Sequence, residues 1–498
     1  MPRPETQLSI ASLPAWAFLN EISFVDVQVR SRGRKGYGLV CDRKLTTQQD
    51  TFDLPTLITV PRGLVLNASS VEDYAKEDRN FRQLVDAAGK KSSRADVLLF
   101  LLVQTALASA KGGPSPAGIS TPWTGYLQFL SWNLSVPARW DEDDRKLLAG
   151  TSLESAVEAK LRALADEFEC IREAASTLPA WEHLLGPAGS AALHDWIALD
   201  ALYWSRCLDL PKSGVSMVPC IDMVNHARRP SAYYEENGKN EAMLLLAPGV
   251  DMQEDDEVTI SYGADKSAAE MLFVYGFIDC EDGSTTAPAP ASRAVFPIAP
   301  LPDDPLGRAK TAAFGTAPSV TVHRAGPTAA EWTAEWTSPF AHLMCVNEED
   351  GLGFRVRQNT DGTRQLRVFW RDEDVTDRAA DFEGLTRHLP DLRAVLRLRV
   401  VTVVQELCRT QLARMRALGT GPGVGPGDGD GGPGEYAWRL RCAESRLLDM
   451  AVETMEREKS ELLTDERVLA YLRSGGGAEA DAVAQKDEDE DEDEDDFS

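Results

Sequence analysis

Three polar side chains, Asp222, Asn225 and His226, directly follow an apolar strand in the middle of the sequence. The segment from Met217 reads MVPCIDMVNH, which places them in a helical-looking turn. An amide and an imidazole in such a turn can hydrogen-bond a ligand or fix a backbone crossing. The Asn–His pair alone is a weak signal, because such a pair is more commonly satisfied inside a core. Asp222 can equally cap the turn that follows it.

Two tyrosine–glycine pairs come after this turn. The first, at Tyr262, ends the predicted strand Glu257–Ser261, and the second, at Tyr275, closes a short amphipathic helix. A phenol can donate or accept a hydrogen bond, and the glycine gives the chain a flexible joint. A lone tyrosine is commonly an amphipathic core residue, so only the combination with the Asn–His turn suggests a functional site.

Short strands interrupted by a long helical stretch surround these residues. Apolar runs bounded by turn residues predict strands at Phe24–Val29, Leu57–Val60, Val215–Pro219, Ala242–Ala247 and Glu257–Ser261. Helical spacing of apolar residues predicts helices at Ala95–Ala110, Asp141–Leu148, Leu153–Ala175 and Ala191–Leu208. Small strands split by a helical insert indicate an α+β domain whose sheet is not contiguous in the chain.

The C-terminal part is predicted to be helical, because apolar residues recur at helical spacing from Leu392 to Leu418 and from Trp438 to Leu472. The Gly/Pro-rich segment 419–434 between them is predicted to be a loop. The ten acidic residues Asp487–Asp496 predict a disordered tail at 474–498, because like charges repel and cannot bury apolar area. The tail serves solubility or attracts a basic protein partner.

The composition argues against several classes of protein. The 498 residues favour two or three domains, and the net charge of −27 argues against a nucleic-acid groove. No apolar run is long enough for a membrane span, and the N-terminal residues lack a secretory pattern. The eight cysteines form no CxxC pair and no HExxH motif occurs, so we expect reduced thiols in the cytoplasm or nucleus and no metal.

Taken together, the motifs resemble a known family. DMVNH, SYG and KSAAEMLFVYGF resemble the C-terminal half of a SET domain, and more narrowly the branch of Rubisco large-subunit lysine methyltransferase. Further likenesses lie at Gly36-Tyr37-Gly38-Leu39, Trp123, Tyr126-Leu127, Trp196 and Ser205-Arg206. The resemblance implies a SET domain of small strands with a pseudoknot at 20–285, a helical insert at about 92–210, and an all-α substrate-binding domain at 290–473.

The resemblance also implies S-adenosylmethionine-dependent methylation of a protein side chain, usually a lysine amine. It makes Tyr262 the catalytic phenol and Tyr275 a residue that lines and shapes the substrate channel. Asp222 and Tyr234 are expected to contact the substrate, with Tyr233 as the alternative to Tyr234. The residues expected to bind the cofactor are Gly36, Tyr37, Gly38, Arg206, Asn225 and His226.

The resemblance leaves the substrate open. Lysine methylation of a basic ribosomal or translation-related protein by a monomeric enzyme is favoured, without direct contact to nucleic acid or membrane. Some relatives methylate histidine, and histones are another substrate class. Leu210 stands where the plant enzymes carry a second arginine for substrate, so plant-type recognition is not expected. A catalytically inactive SET scaffold is the remaining alternative, and the joint presence of the proposed site residues counts against it.

Overall fold

The structure is a computed structural model that describes residues 7–48, 54–88, 92–109, 117–278, 291–326, 328, 331–358, 364–418 and 432–474. The described residues mix helices and strands and fall into two compact units. Over its described residues, the first unit comprises Met1–Asp141, Ala156–Lys266 and Glu270–Phe277. The second comprises Glu142–Ser155, Ser267–Ala269 and Ile278–Ser498. Each unit has its own buried apolar core.

The elements of both units follow in chain order. The helices are α1 (Leu13–Leu19), α2 (Ala68–Glu77), α3 (Arg79–Ala88), α4 (Ser93–Ser109), α5 (Pro122–Tyr126), α6 (Glu142–Lys146), α7 (Ser152–Ala175), α8 (Glu182–Leu185), α9 (Leu193–Arg206), α10 (Ala268–Tyr275), α11 (Gly307–Phe314), α12 (Pro339–Met344), α13 (Phe382–Leu385), α14 (Pro390–Ala417) and α15 (Pro433–Leu462). The strands are β1 (Ser23–Phe24), β2 (Val27–Ser31), β3 (Tyr37–Cys41), β4 (Leu45–Thr46), β5 (Thr56–Val60), β6 (Cys207–Leu210), β7 (Gly214–Met217), β8 (Asn225–His226), β9 (Ala232–Glu236), β10 (Ala242–Leu246), β11 (Asp251–Met252), β12 (Glu257–Ile260), β13 (Arg293–Pro297), β14 (Ser319–Ala325), β15 (Thr333–Thr337), β16 (Leu352–Gln358), β17 (Arg364–Trp370) and β18 (Glu373–Asp374).

Two four-stranded sheets carry the strands of the first unit. Their orders are β1-β5-β10-β9 and β2-β3-β12-β8, and the pairs β4–β11 and β6–β7 stand apart. Among these described strands β8 and β12 pair in parallel, with Thr259 opposite Asn225 and Ile260 opposite His226. This register places the end of β12, which Tyr262 follows, beside the Asn–His pair of β8. The α+β class predicted from the sequence is confirmed.

A helical insert separates β5 from β6 in the sequence of the first unit. Its helix α4 is buried throughout the apolar run from Val97 to Val103, which is typical of a helix surrounded by other elements rather than one at the surface. The insert starts with α2, before the predicted position of about 92. The first unit also starts before the predicted boundary at residue 20, because Leu13 and Ala17 of α1 are buried in its core.

The second unit is not all-α, which corrects the expectation for the C-terminal part. It contains two antiparallel sheets, β13-β14-β15 and β16-β17-β18, besides the long helices α14 and α15. The all-α expectation comes from the family resemblance and not from the residue pattern of this segment, in which β14, β16 and β17 each run over seven residues. In β13, for example, Ala294 and Phe296 are buried and alternate with exposed residues, which is the pattern of a half-buried strand.

The two long C-terminal helices do form, and they pack on each other. Arg397 of α14 contacts the Glu458 carboxylate of α15 with two hydrogen bonds, at 2.5 and 3.1 Å. The predicted loop 419–434 lies outside the described residues except at its end, where α15 already begins at Pro433. Proline is favoured in the first turn of a helix, because the N–H that it lacks has no helical partner there.

The predicted tail 474–498 lies outside the described residues apart from Ser474. In the part of the chain that the structure describes, no helix combines the length and the apolar character needed to cross a membrane.

Candidate active site

Tyr262 lies just past the end of β12, the strand between β3 and β8. Its hydroxyl donates a hydrogen bond of 2.8 Å to the backbone carbonyl of Val224. Its backbone N–H donates to His226 Nδ1 at 3.1 Å, and the two rings lie 5.2 Å apart. These contacts hold the phenol against β8, which contains the Asn–His pair. Asp222 lies in the predicted turn, but Asn225 and His226 lie in a strand that follows it.

Tyr275 ends α10, and its ring lies 4.5 Å from the ring of Tyr262 with an angle of 31° between their planes. Its hydroxyl donates a hydrogen bond of 3.2 Å to the backbone carbonyl of Tyr262. Gly276 then turns the chain with φ of 79°, a conformation that favours glycine. A side chain there would meet the backbone of Ser135 at 2.9 Å. The structure therefore brings the two tyrosines of the sequence motif together as a stacked pair.

Asp222 lies in the turn Ile221–Met223, and its side chain is fully buried. One carboxylate oxygen accepts a hydrogen bond from the hydroxyl of Tyr126, and the other lies 3.5 Å from Nη1 of Arg206. Nη1 of Arg206 also donates to the backbone carbonyl of Asp222 at 3.1 Å. Burial raises the pKa of Asp222, while the positive charge of Arg206 and the hydrogen bond from Tyr126 act in the opposite direction.

A second cluster of predicted residues surrounds the start of β3. Nδ2 of Asn225 donates to the carbonyl of Tyr37 at 3.2 Å and to Oε1 of Glu257 at 2.7 Å. A Cβ atom on Gly38 would lie 2.7 Å from each of these two side-chain atoms, so only glycine fits there. Gly36, two residues earlier in the chain, has a φ of 79°, again in the region that favours glycine.

Tyr233 and Tyr234 are neighbours on β9, so their side chains point to opposite faces of the sheet. Tyr234 is half-buried and lines the same cavity as Tyr262, whereas Tyr233 is 37% exposed. Of the two alternatives left open by the sequence, the structure brings only Tyr234 to the cavity.

This cavity has a volume of about 30 Å³. Its lining residues include Arg206, Cys207, Asp222, Tyr234, Tyr262 and Tyr275. Such a volume holds about one or two groups of the size of a water molecule, such as an amine nitrogen and its methyl group. The neighbouring cluster does not line the cavity; it consists of Gly36, Tyr37, Gly38 and Asn225. His226 connects this cluster to the cavity, because it accepts the hydrogen bond from the backbone N–H of Tyr262.

Burial raises the pKa of Tyr275 to about 12, and it also raises the pKa of Tyr262. The positive charge of Arg206 acts in the opposite direction on Tyr262 without cancelling the effect of burial. Both phenols are therefore protonated at neutral pH, and neither acts as a phenolate. The Tyr262 hydroxyl donates its hydrogen bond to the carbonyl of Val224, so its oxygen can still accept one.

Sequence reasoning missed the roles of Tyr126 and Glu257 in this site. The sequence marks Tyr126 only through the family likeness of Tyr126-Leu127, without a role in the site, and it lies 96 residues before Asp222 in the chain. Glu257 reads as an ordinary strand residue, but it joins Asn225 and also pairs with Lys35 at 3.0 Å. No local pattern marks either residue, because their partners come from distant segments.

Comparisons with known proteins bear on the fold that carries these residues. No family model matches the chain. A crystal structure of the SET domain of LSMT bound to MeLysine and AdoHcy superimposes with a TM-score of 0.60 at 16% identity, over 92% of this chain and 94% of that chain. The structure of Rubisco LSMT bound to AdoMet gives a TM-score of 0.59 at 17% identity, over 91% of this chain and 93% of that one.

This is the SET-domain fold. Two curated proteins of Schizosaccharomyces pombe are also similar. SET domain-containing protein 8 is 25% identical over 78% of this chain and 82% of its own length. Ribosomal lysine N-methyltransferase set10 is 24% identical over 32% of this chain and 28% of its own length. The resemblance predicted from the sequence motifs is confirmed, and the stacked tyrosines lie within this SET-domain fold.

Proposed function

We propose that this SET-domain protein is an S-adenosylmethionine-dependent protein methyltransferase, and more narrowly a protein-lysine N-methyltransferase. The observation that carries the proposal is the pair of stacked phenols at the small cavity, with the hydroxyl of Tyr262 held on the carbonyl of Val224. The solved relatives bound to AdoMet, AdoHcy and methyllysine support the same donor and the same kind of acceptor.

The residues present fit the donor. Nε of Arg206 is buried and has no hydrogen-bond partner among the described residues, so the guanidinium has a donor available for a carboxylate. Nothing lies within 4 Å of a Cβ atom added at Gly36, so the backbone is open to a ligand there, and Gly38 packs against Asn225 beside it. We propose that Arg206, Asn225, His226 and the segment Gly36–Gly38 hold S-adenosylmethionine. When bound, this donor supplies a methyl group from a sulfonium centre, which requires no metal.

The chain's own residues have three tasks in such a reaction. A free lysine has a pKa of about 10.4, so its amine must first lose a proton, and a small cavity walled by aromatic rings disfavours the charged form. The phenol oxygen of Tyr262, whose proton points to Val224, can accept a hydrogen bond from the amine and orient its lone pair. The rings of Tyr262 and Tyr275 together narrow the cavity and exclude water.

We propose a basic protein substrate, and ribosomal or translation-related proteins fit best. The net charge of −27 favours attraction of basic polypeptides, and set10 is by name a ribosomal lysine N-methyltransferase. The second unit is proposed to dock the substrate. We further propose a monomer that binds neither nucleic acid nor membrane directly and works in the cytoplasm, the nucleus or both. The seven described cysteines are free thiols, which is compatible with these compartments.

Transfer of radiolabelled methyl groups from S-adenosylmethionine tests the proposal. The full chain should label a ribosomal protein fraction more strongly than purified histones, and Tyr262→Phe should lower the rate by about a hundredfold or more. Tyr74→Phe is the matched control, because it also removes a buried hydroxyl, one bonded to Asp78 at 3.0 Å. Mass spectrometry of the product then separates lysine from histidine. Absence of label in every fraction would instead favour an inactive scaffold.

A further inference from the structure

Tyr126 is the last residue of α5 and is fully buried in the core of the first unit. Its hydroxyl makes two hydrogen bonds, both to the segment that carries the proposed site. It accepts the backbone N–H of Cys220 at 2.7 Å and donates to Oδ1 of Asp222. One phenol thus ties the helical insert to the turn that precedes the Asn–His pair.

We infer that Tyr126 is a positioning residue for Arg206, because its hydroxyl holds the Asp222 carboxylate in the orientation that fixes the guanidinium beside the cavity. This inference rests on the proposed function, in which Arg206 binds the carboxylate of the donor. Tyr126 itself is not among the residues that line the cavity, so it acts through Asp222.

The contacts of Arg206 show why Asp222 controls it. Its Nη1 atom contacts Asp222 twice, at 3.1 Å from the backbone carbonyl and at 3.5 Å from Oδ2. Oδ2 has no hydrogen-bond partner among the described residues, so it is oriented chiefly through Oδ1, which Tyr126 holds. Rotation of this carboxylate would move the nearest negative charge away from the guanidinium.

The backbone of the same turn depends on Tyr126 as well. Cys220 has φ of 72°, in the left-handed region that residues other than glycine rarely adopt. The hydrogen bond from its N–H to Tyr126 holds this strained conformation, and Asp222 follows two residues later. Both effects of Tyr126 act inside a buried environment, where the loss of one partner leaves a polar group without compensation.

The pH dependence of donor binding reports the ionisation of Asp222. Loss of a residue with a purely structural role would not change this pH dependence. The titratable and charged groups that face it are Arg206, Tyr126, Cys207, Cys220 and Tyr262. Burial raises the pKa of Asp222, whereas the hydrogen bond from Tyr126 lowers it. Removing the hydroxyl should therefore raise this pKa further, so that Asp222 is protonated, and loses its hold on Arg206, at a higher pH than in the unmodified protein.

Calorimetric titration of the full chain with S-adenosylhomocysteine, from the lowest pH at which the chain stays folded up to about pH 9, tests the inference. Tyr126→Phe should weaken binding about tenfold at pH 7 and move the acid limb of the affinity profile to higher pH. Asp222→Asn should bind weakly with little dependence on pH. Tyr74→Phe should bind like the unmodified chain, because its hydroxyl likewise donates to an aspartate and accepts a backbone N–H, from Ile119, without a contact to the cavity lining.

Each outcome bears on a different claim. If the unmodified chain does not bind S-adenosylhomocysteine, the proposed function is overturned. If it binds and Tyr126→Phe stays within twofold at every pH, or binds more tightly, the positioning role is overturned. If the melting curve shows that Tyr126→Phe does not fold, the affinity of Asp222→Asn alone tests the positioning role. This is possible because Tyr126 acts on Arg206 through the Asp222 carboxylate. Unchanged affinity in folded Asp222→Asn would then overturn the inference.

Discussion

The Asn225 amide and the Glu257 carboxylate are joined by a hydrogen bond of 2.7 Å across the parallel pair of β8 and β12. The same amide group donates to the carbonyl of Tyr37 at 3.2 Å, so Glu257 determines how Asn225 faces the start of β3. Lys35, in the turn before β3, pairs with this carboxylate at 3.0 Å. One glutamate therefore connects the predicted cofactor loop with the Asn–His pair.

Glu257→Gln should weaken S-adenosylhomocysteine binding by about three- to tenfold, because an amide holds Asn225 and Lys35 less strongly than a carboxylate does. Calorimetric titration measures the change. Glu241→Gln is the matched control, because Glu241 also accepts a hydrogen bond from an asparagine, Asn237, at 2.6 Å. Equal affinity of the two variants would show that Glu257 has no special role.

Gly38→Ala should abolish donor binding and lower the free energy of unfolding by about 1–3 kcal/mol, because its Cβ atom would lie 2.7 Å from atoms of Asn225 and Glu257. Gly63→Ala offers the comparison, since nothing lies within 4 Å of a Cβ atom there. Denaturant unfolding measures the change in the free energy of unfolding, and calorimetric titration with S-adenosylhomocysteine measures the loss of binding. A stable Gly38→Ala variant that binds normally would contradict the tight packing at this position.

Tyr275→Phe should lower kcat by about tenfold, because it removes the hydrogen bond of 3.2 Å to the backbone of Tyr262 but keeps the stacked ring. Affinity for S-adenosylhomocysteine should stay within about twofold, since Tyr275 is assigned to the substrate channel rather than to the donor. Steady-state kinetics and calorimetry separate the two quantities. A selective loss of donor affinity with kcat unchanged would reverse this assignment.

Glu444 of α15 should make the second unit less stable as the pH rises. Its carboxylate accepts hydrogen bonds from the N–H and the hydroxyl of Ser152, and burial raises its pKa from 4.5 to about 7. The folded state then holds a proton that the unfolded chain has released, so stability falls between about pH 4.5 and pH 7 and is constant above. The change amounts to about 3 kcal/mol.

Glu444→Gln should remove this slope and leave the variant at least as stable as the unmodified protein at pH 8. The amide oxygen can still accept from Ser152, and no charge is then buried. Denaturant unfolding at pH 5 and pH 8 measures the difference. Glu453→Gln, on the exposed side of the same helix, is the control and should keep the slope. A slope that survives in Glu444→Gln must arise from other groups.

Removal of the residues after Gly477 should lower the association rate with a basic substrate peptide by several-fold and reduce its dependence on salt, because the truncation deletes the ten acidic residues Asp487–Asp496. Stopped-flow measurements at low and high ionic strength quantify both effects. A control chain of full length, with these residues changed to Asn and Gln, should behave like the truncated one. Association rates that are equal at every salt concentration would assign the tail to solubility instead.

The local pattern determined the parts of this protein that lie close together in the chain. The strand that ends just before Tyr262 and the helix that ends at Tyr275 follow from alternation, helical spacing and glycine positions within Met217–Phe277. Hydrophobic periodicity likewise predicted the long helices α14 and α15, because an apolar face repeated over many turns is a strong signal. The combination of motifs was sufficient to predict the SET-domain fold.

Only the tertiary structure decided which distant groups meet. Tyr126 reaches Asp222 across 96 residues, and Glu257 reaches Asn225 across 32, through the parallel pairing of β8 and β12. Such contacts leave no periodic trace, because each depends on how separate elements pack rather than on the spacing of residues within one element. The sheets of the second unit were missed because the all-α expectation came from the family resemblance. Strands such as Arg293–Pro297 are completed only by pairing with another segment, here Ser319–Ala325, and that pairing is decided by the tertiary structure.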